Sequence, residues 1–325
     1  MTVEQHSAAV TVLDGGMSRE LVRLGARLRQ PEWSALALME TPAIVQKVHE
    51  EFALAGADVV TTNSYALVPY HIGDEVFAAR GHELASLAGQ LAFQGTRQAA
   101  AGKTNGHVSR VAGCLPPVFG SYEPAQFRPD TVQKYLAVLT QGLEPFVDLW
   151  LGETLSLIDE ARAVQEAVRD SAKPLWIAFS LADADEKLHR PPTLRSGEPV
   201  SVAAEWALAA GIDALLFNCS RPEFMTAAIA TTHAIFAAAR PHHNHHPSGV
   251  AAPAVPRIGV YANAFVPREP VDKANATLTA TCQDLCIDAY AAFARDWVAH
   301  GATIVGGCCG IGARHVERLV REFAH

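Results

Sequence analysis

Near its C-terminus the chain reads Gly306-Gly307-Cys308-Cys309-Gly310, directly after an apolar run over residues 302–305. The apolar run predicts a buried strand, and neighbouring side chains of a regular strand point to opposite faces. The glycines allow the backbone to leave strand geometry, so that both thiols can converge on one point. Because a disulfide between adjacent cysteines is strained, we interpret the pair as ligands of a soft metal ion, most often zinc. A third ligand must then come from elsewhere in the chain.

Seven more short β-like runs precede this one, and helical patterns separate them. The runs lie at 10–13, 57–65, 108–112, 146–151, 175–181, 212–217 and 257–261, and the helical patterns at about 18–25, 42–54, 75–101, 130–143, 153–169, 202–210, 223–239, 283–300 and 313–323. These alternations predict the α/β class and, within it, a (β/α)8 TIM-type barrel, with residues 1–325 as a single domain. A doubly wound open sheet is the alternative, but the glycine-rich phosphate turn that it usually carries is absent.

The composition favours a folded cytoplasmic protein. Hydrophobic residues make up 49% of the chain, which is enough for a large core. The net charge of −8 and the lack of a basic stripe argue against nucleic acid as a partner. The first residues do not resemble a signal peptide and no apolar stretch is long enough for a transmembrane helix, so no membrane partner is expected. Six scattered cysteines fit a reducing compartment, where thiols more often bind metal or take part in catalysis.

Polar residues follow the predicted strands, and the C-terminal strand ends of a barrel are where active sites form. Strands six and eight are close in the ring, so Cys219 can meet the cysteine pair. Three thiolates with an open fourth position are typical of a catalytic zinc site, whereas a structural site normally has four protein ligands. Taken alone, Cys219 would be interpreted as a buried apolar cysteine. The residues at the strand ends are Asp14, Tyr65, Glu153, Cys219, Asn263, Cys308 and Cys309.

Five motifs, spread over almost the whole chain, carry a family resemblance. They are Leu13-Asp14-Gly15-Gly16 with Glu20-Leu21, Thr61-Thr62-Asn63-Ser64-Tyr65, Glu153-Thr154, Asn218-Cys219 and Gly306-Gly307-Cys308-Cys309-Gly310. This combination resembles the homocysteine S-methyltransferase family. The resemblance implies an enzyme of methionine biosynthesis, a thiol methyltransferase that depends on Zn2+ and transfers a methyl group to the thiolate of homocysteine.

The resemblance also implies roles for individual residues. Cys219, Cys308 and Cys309 would be the zinc ligands and would act in catalysis through the metal. Asp14 and Glu153 would bind the ammonium group of homocysteine, since a buried cation needs carboxylate partners. Without the resemblance, these two residues would be ordinary carboxylates at barrel ends or helix N-termini.

The remaining implied contacts concern the homocysteine carboxylate and the methyl donor. Gly15 and Gly16 would let backbone amides approach the substrate carboxylate. Asn218 would contact the substrate. Tyr65 would lie near the metal and take part in catalysis, because its aromatic face can hold a sulfonium or quaternary ammonium methyl group.

The donor is expected to be a free cationic small molecule, because the chain carries no cobalamin or folate module. A sulfonium, S-methylmethionine first, is favoured over betaine, since the chain lacks the C-terminal arm of the betaine-dependent enzymes. The same absence predicts a monomer or weak dimer.

A non-catalytic zinc or thiol-sensing barrel is the alternative of another class, and it would need the cysteines but not Asp14 and Glu153. A zinc hydrolase is a third possibility, although it normally uses histidine or carboxylate ligands and a general base.

Some residues stay without an assigned role. Phe119 and Tyr122, in the loop after the third strand, would either join the cage around the donor or only pack the loop. The loop 242–246, rich in histidine, is predicted on the barrel face opposite to the active site, as a solvated loop. The cysteines that match no ligand of the family are Cys114, Cys282 and Cys286.

Overall fold

A computed structural model of the chain describes residues 9–103, 107–239, 255–264 and 286–323. Its strands are β1 (Thr11–Val12), β2 (Val59–Thr61), β3 (Arg110–Leu115), β4 (Leu149–Leu155), β5 (Leu175–Phe179), β6 (Ala214–Asn218), β7 (Arg257–Tyr261) and β8 (Ile304–Val305). They form one parallel sheet in the order β1-β8-β7-β6-β5-β4-β3-β2. The predicted single-domain TIM-type barrel is therefore confirmed.

Helices surround the sheet and mostly follow the predicted pattern. Two were missed, α2 and α4: α2 is short and most of its residues are buried, so it shows no polar face, and α4 is a single turn. The structure also extends the fourth strand, because Glu153 lies inside β4 and not after it. The helices of the described residues are α1 (Met17–Arg23), α2 (Ser34–Glu40), α3 (Pro42–Leu54), α4 (Pro69–Ile72), α5 (Asp74–Ala101), α6 (Val132–Leu143), α7 (Ile158–Ala167), α8 (Val200–Ala210), α9 (Met225–Ala239), α10 (Ile287–Ala299) and α11 (Ala313–Phe323).

The barrel closes at a seam between β1 and β2, which share an isolated bridge and no regular ladder. Across this seam, the Asp58 amide donates to the Val12 carbonyl at 2.7 Å and the Asp14 amide donates to the Val59 carbonyl at 3.0 Å. Side chains add to these bonds. The Asp58 carboxylate accepts from the Val12 amide at 2.8 Å, and the Asp14 carboxylate accepts from the Thr61 amide at 2.7 Å. Two carboxylates thus complete the closure.

Two apolar layers bury the sheet. The larger lies between the strands and the helices. The smaller fills the barrel interior, where residues of alternate strand positions meet, as expected from the period of a strand. Its members are Leu13, Val59, Ala112, Leu149, Leu151, Trp176, Ala178, Ala214, Leu216, Tyr261 and Ile304.

Aspartates recur directly before β2, β4 and β6, at the N-terminal face of the barrel. Each carboxylate accepts the backbone N–H of the preceding strand in the sheet, which would otherwise lack a ladder partner. The signal in the sequence is an aspartate placed just before an apolar run. Asp58 accepts from Val12, Asp148 from Val111 and Asp213 from Leu175, each at 2.8 Å.

We expect Asp213→Ala to lower the free energy of unfolding by about 1–3 kcal/mol, because the buried Leu175 amide loses its acceptor. Urea unfolding followed by circular dichroism measures the change. The matched control is Asp170→Ala, since the Asp170 side chain is 96% exposed. Equal stability of Asp213→Ala and the unmodified protein would contradict this role for the aspartate.

Two features from the sequence analysis lie outside the described residues, namely the loop 242–246 and Cys282. Cys286, its predicted neighbour on a helix face, is exposed and directly precedes α10. Among the helices of the described residues, none is both long enough and apolar enough to cross a bilayer.

Candidate metal centre and active site

The barrel interior changes from apolar to polar in its last layer, toward the C-terminal ends of the strands. Alternate residues of a strand share a face, so the residue two positions beyond an inward-facing core residue also points inward. These residues form the floor of the candidate site. They are Thr61 after Val59, Cys114 after Ala112, Glu153 after Leu151, Asn218 after Leu216, and Tyr261 paired in register with Asn218.

The three predicted metal ligands converge at this mouth. Cys219 follows β6 directly, and Cys308 and Cys309 follow β8. Their three Sγ atoms lie within 4.8 Å of one another, and those of Cys308 and Cys309 are 4.0 Å apart. Three sulfurs around a tetrahedral zinc ion, at Zn–S distances of about 2.3 Å, would be separated by roughly 3.8 Å. The donor set and its spacing therefore fit zinc with one ligand position left open.

The turn that carries the cysteine pair is fixed by its neighbours. The Cys308 amide donates to the Ala262 carbonyl at 2.9 Å, and the Cys309 carbonyl accepts from the Ala264 amide at 2.8 Å. From α10, the buried Tyr290 hydroxyl lies 2.6 Å from the Gly306 carbonyl and 3.1 Å from the Ala262 carbonyl. Both thiols are thus presented by a turn that is tied to the end of β7.

Of the three aromatic residues that the sequence offered for the donor pocket, Tyr122 is hydrogen-bonded to one of the three clustered cysteines. Its hydroxyl donates to the Cys219 Sγ at 2.8 Å, and the Arg195 guanidinium lies 4.3 Å from the centre of its ring. The Tyr65 hydroxyl is hydrogen-bonded to the Ser121 hydroxyl at 2.5 Å, beside Tyr122 in the chain. Phe119 instead packs against the rings of Phe127 and Tyr135.

The site holds two carboxyl groups, the buried Asp14 and the half-buried Glu153, and desolvation raises the pKa of Asp14 to about 8 and the pKa of Glu153 to about 7. Thr61 holds Asp14 through its amide at 2.7 Å and its hydroxyl at 3.2 Å. These bonds lower the Asp14 pKa, whereas the nearby Glu153 carboxyl raises it. Two desolvated acids of this kind are suited to a cationic group, which would favour the charged form of both.

Asn218 presents an acceptor to the same space. Its Nδ2 donates to the Thr154 hydroxyl at 2.8 Å, while its Oδ1 is buried and has no hydrogen-bond partner among the described residues. Since buried acceptors are rarely left without a partner, the Asn218 Oδ1 is a candidate contact for an N–H donor of a ligand.

The two glycines after β1 have a packing role. The Gly16 amide donates to the Ile311 carbonyl at 2.8 Å, and approach of a substrate carboxylate to backbone amides beside these glycines stays a prediction. A Cβ on Gly15 would collide with the Ile311 carbonyl and come within 2.8 Å of the Phe52 ring. Contact between Gly15 and a substrate stays a prediction.

Comparison with known proteins identifies the family, because the family model of homocysteine S-methyltransferases matches residues 11–323. The chain belongs to the homocysteine S-methyltransferase family. It is 26% identical to homocysteine S-methyltransferase YbgG of Bacillus subtilis (strain 168), over 95% of this chain and 92% of that protein. It is 28% identical to the homocysteine S-methyltransferase of Escherichia coli (strain K12), over 92% of this chain and 91% of that protein. The solved metallated form of the homocysteine methyltransferase MmuM from Escherichia coli has the same fold, with a TM-score of 0.72, 23% identity and 96% of each chain covered.

Membership in the homocysteine S-methyltransferase family makes the chain an enzyme, as the sequence predicted, and supports the methylation of homocysteine. The non-catalytic barrel and the zinc hydrolase are therefore disfavoured. A purely metal-binding barrel would not need Asp14 and Glu153, yet both lie in the barrel mouth. There the charge of Glu153 raises the pKa of Asp14, and the charge of Cys219 raises the pKa of Glu153.

Three residues of this homocysteine S-methyltransferase site were missed in the sequence. Cys114 and Tyr261 line the floor beside Glu153, and Tyr290 ties the cysteine turn to β7. Strand periodicity was a usable signal for Cys114, which lies two positions beyond the inward-facing Ala112. No local pattern marks Tyr290, because its role depends on where α10 packs.

We expect the metal-free enzyme to lose stability as the pH rises from about 4 to about 8. The folded protein keeps protons on Asp14 and Glu153 that the unfolded chain has already released, since burial raises both pKa values from 3.8 and 4.5 to about 8 and about 7. The stability that these two protonated groups contribute is fully present below their pKa values in the unfolded chain. It is lost as the pH rises through their pKa values in the folded protein.

Asp14→Asn should remove the part of this stability loss that Asp14 causes, so that the free energy of unfolding depends less on pH. Urea titrations at several pH values, in the presence of a chelator, test it, with Asp170→Asn as the exposed control. An unchanged pH slope in Asp14→Asn would show that Asp14 does not hold a proton in the folded state.

Proposed function

We propose that the enzyme transfers a methyl group from a sulfonium donor, S-methylmethionine, to the sulfur of homocysteine, and that it requires zinc held by Cys219, Cys308 and Cys309. The observation that carries the proposal is the convergence of three thiols within 4.8 Å, at a barrel mouth that also holds the buried Asp14 and the half-buried Glu153. Family membership supplies the acceptor, and the metallated form of a solved relative supports a metal.

A zinc ion in this three-thiolate site would supply an open ligand position that keeps the homocysteine sulfur as a thiolate near neutral pH. Asp14 and Glu153 would receive the ammonium group of homocysteine, and Asn218 would offer it the unpaired Oδ1. The support for this assignment is the chemistry of the floor, which has buried acceptors where a cation is expected. Homocysteine would then lie with its sulfur toward the cysteines and its amino group toward Asp14, Glu153 and Asn218, at the ends of β1, β4 and β6.

Methyl transfer removes the positive charge of the sulfonium donor and the negative charge of the homocysteine thiolate. The bond between the methyl carbon and the donor sulfur breaks as a new bond to the homocysteine sulfur forms. The electron pair of the broken bond stays on the donor sulfur, which becomes a neutral thioether, and the proton of the homocysteine thiol leaves to solvent. With S-methylmethionine as donor, both products are methionine. A site with little water favours this loss of charge.

The aromatic residues beside the cysteines support a cationic donor. Tyr122 contacts Cys219 and already has the Arg195 guanidinium over its ring, whereas Tyr65 lies in the same group through Ser121, so the Tyr65 ring is the one proposed to face a positively charged methyl group. A sulfonium is preferred to betaine because a neutral thioether is a better leaving group than a tertiary amine. Betaine remains the alternative donor, and competition experiments separate the two.

For the metal, we expect about one zinc per chain in the purified protein and much less in Cys219→Ser, with turnover lower by more than about 100-fold. Inductively coupled plasma mass spectrometry measures the metal content. The matched control is Cys286→Ser, an exposed thiol outside the cluster, which should keep its zinc. Full zinc retention in Cys219→Ser would rule out the three-thiolate site.

For the donor, we expect S-methylmethionine to outcompete S-adenosylmethionine and betaine when all three are offered together with homocysteine. Donors labelled with distinct isotopes in the methyl group, followed by mass spectrometry of the methionine formed, report the choice directly. A preference for betaine, or no turnover with any sulfonium, would overturn the donor and leave the acceptor and metal intact.

A further inference from the structure

Cys114 is a buried thiol of the site floor that the metal site does not use. It lies in β3 with no solvent exposure, and it is not part of the group of three cysteines that can hold a metal. Its Sγ lies 3.0 Å from Oε2 of Glu153. The pair therefore joins a residue without an assigned role to the carboxyl group proposed to bind the substrate ammonium.

The backbone of Cys114 is held rigidly, which fixes the direction of the thiol. Its amide donates to the Thr62 hydroxyl at 3.0 Å, and its carbonyl accepts from the Ser64 hydroxyl at 2.8 Å. The two hydroxyls are themselves hydrogen-bonded at 2.9 Å, and both residues are buried. The turn after β2 thus clamps both polar backbone atoms of Cys114.

The thiol is the donor in this hydrogen bond. Burial and the adjacent Glu153 carboxyl both raise the pKa of Cys114 well above its usual value, so the sulfur keeps its proton. The Tyr261 hydroxyl interacts with the same carboxyl, which raises the Tyr261 pKa, but it makes no hydrogen bond of normal geometry with the described residues. Cys114 therefore supplies the hydrogen bond of well-defined geometry that orients Glu153 before a ligand arrives.

We propose that Cys114 is a positioning residue of the homocysteine site: its S–H group holds Oε2 of Glu153 and leaves Oε1 turned toward the substrate ammonium. This inference rests on the proposed function, since it assumes that Glu153 binds the amino group. A carboxylate fixed in this way binds its cation without first losing rotational freedom. Donation to the carboxylate also favours its charged form, which the ammonium needs.

The test compares Cys114→Ala with Cys114→Ser. Both variants remove the sulfur and leave a similar space, but only serine keeps an O–H donor. In Cys114→Ala we expect KM for homocysteine to rise about tenfold, as for loss of one hydrogen bond to a charged group. The kcat, the KM for the methyl donor and the zinc content should stay within about twofold, because ammonium binding is equal in the ground state and the transition state. Cys114→Ser should recover most of the affinity.

A double-mutant cycle with Glu153→Gln separates a positioning role from a general effect on the fold. If Cys114 acts through Glu153, Cys114→Ala should add little to the loss already caused by Glu153→Gln. Calorimetric titration of each zinc-loaded protein with homocysteine measures the affinities without turnover. Cys286→Ala serves as the control for loss of a cysteine outside the site.

A spectroscopic measurement covers the case in which Cys114→Ala fails to fold. The S–H stretching band of Cys114, isolated as the difference between the unmodified protein and Cys114→Ser, should move to higher frequency in Glu153→Gln, because a neutral amide is a weaker acceptor. An unmoved band, an unchanged homocysteine affinity in Cys114→Ala, or an equal loss in the Glu153→Gln background would overturn the inference. If the unmodified protein methylated no homocysteine with any donor, the proposed function itself would fail, which is a separate outcome.

Discussion

The site depends on the close contact between two turns, one after β1 and one after β8. A Cβ on Gly16 would lie 2.5 Å from the Cys308 carbonyl, and a Cβ on Gly307 would overlap the Ile311 side chain. The Gly307 amide also donates to the Asp14 carbonyl at 2.9 Å. Backbone therefore packs on backbone, and this contact places the turn of the cysteine pair beside the backbone of Asp14. The three clustered cysteines and Asp14 lie at the same end of the barrel because glycines let these two turns approach each other closely.

Backbone strain is concentrated around the cysteines. Among the described residues, three of the five non-glycine positions with positive φ belong to the site: Tyr122 at 65°, Thr154 at 60° and Cys219 at 50°. Such conformations cost on the order of 1–3 kcal/mol each and persist only where the surroundings hold them. The Tyr122 hydroxyl on the Cys219 sulfur and the Asn218 amide on the Thr154 hydroxyl are two of the bonds that do so. Tyr122 thus holds the Cys219 sulfur and Asn218 holds Thr154, so the thiol of Cys219 is directed before any ligand binds.

The barrel and the cysteine cluster could be predicted because they depend on patterns that are local in the sequence. Alternating apolar runs define the strands, and in a parallel barrel the strand ends meet whatever the loops do. The contact of Tyr122 with Cys219 could not be predicted, since it requires a left-handed tyrosine in a loop. The bond between Cys114 and Glu153 was also out of reach, because it requires Glu153 to remain inside β4 and the stagger between adjacent strands to be known. Contacts between loops and across strands are set by tertiary packing, which leaves no periodic signal.

The seam between β1 and β2 gives Asp14 two tasks. Its carboxylate takes the Thr61 amide and hydroxyl at the upper end of the seam, as Asp58 takes the Val12 amide at the lower end. The same carboxylate lines the mouth of the barrel. If a different methyl-accepting substrate required another residue in place of Asp14, the protein would also need another way to join β1 to β2. The seam between β1 and β2, which has no regular ladder, therefore limits which substrates this barrel can evolve to bind.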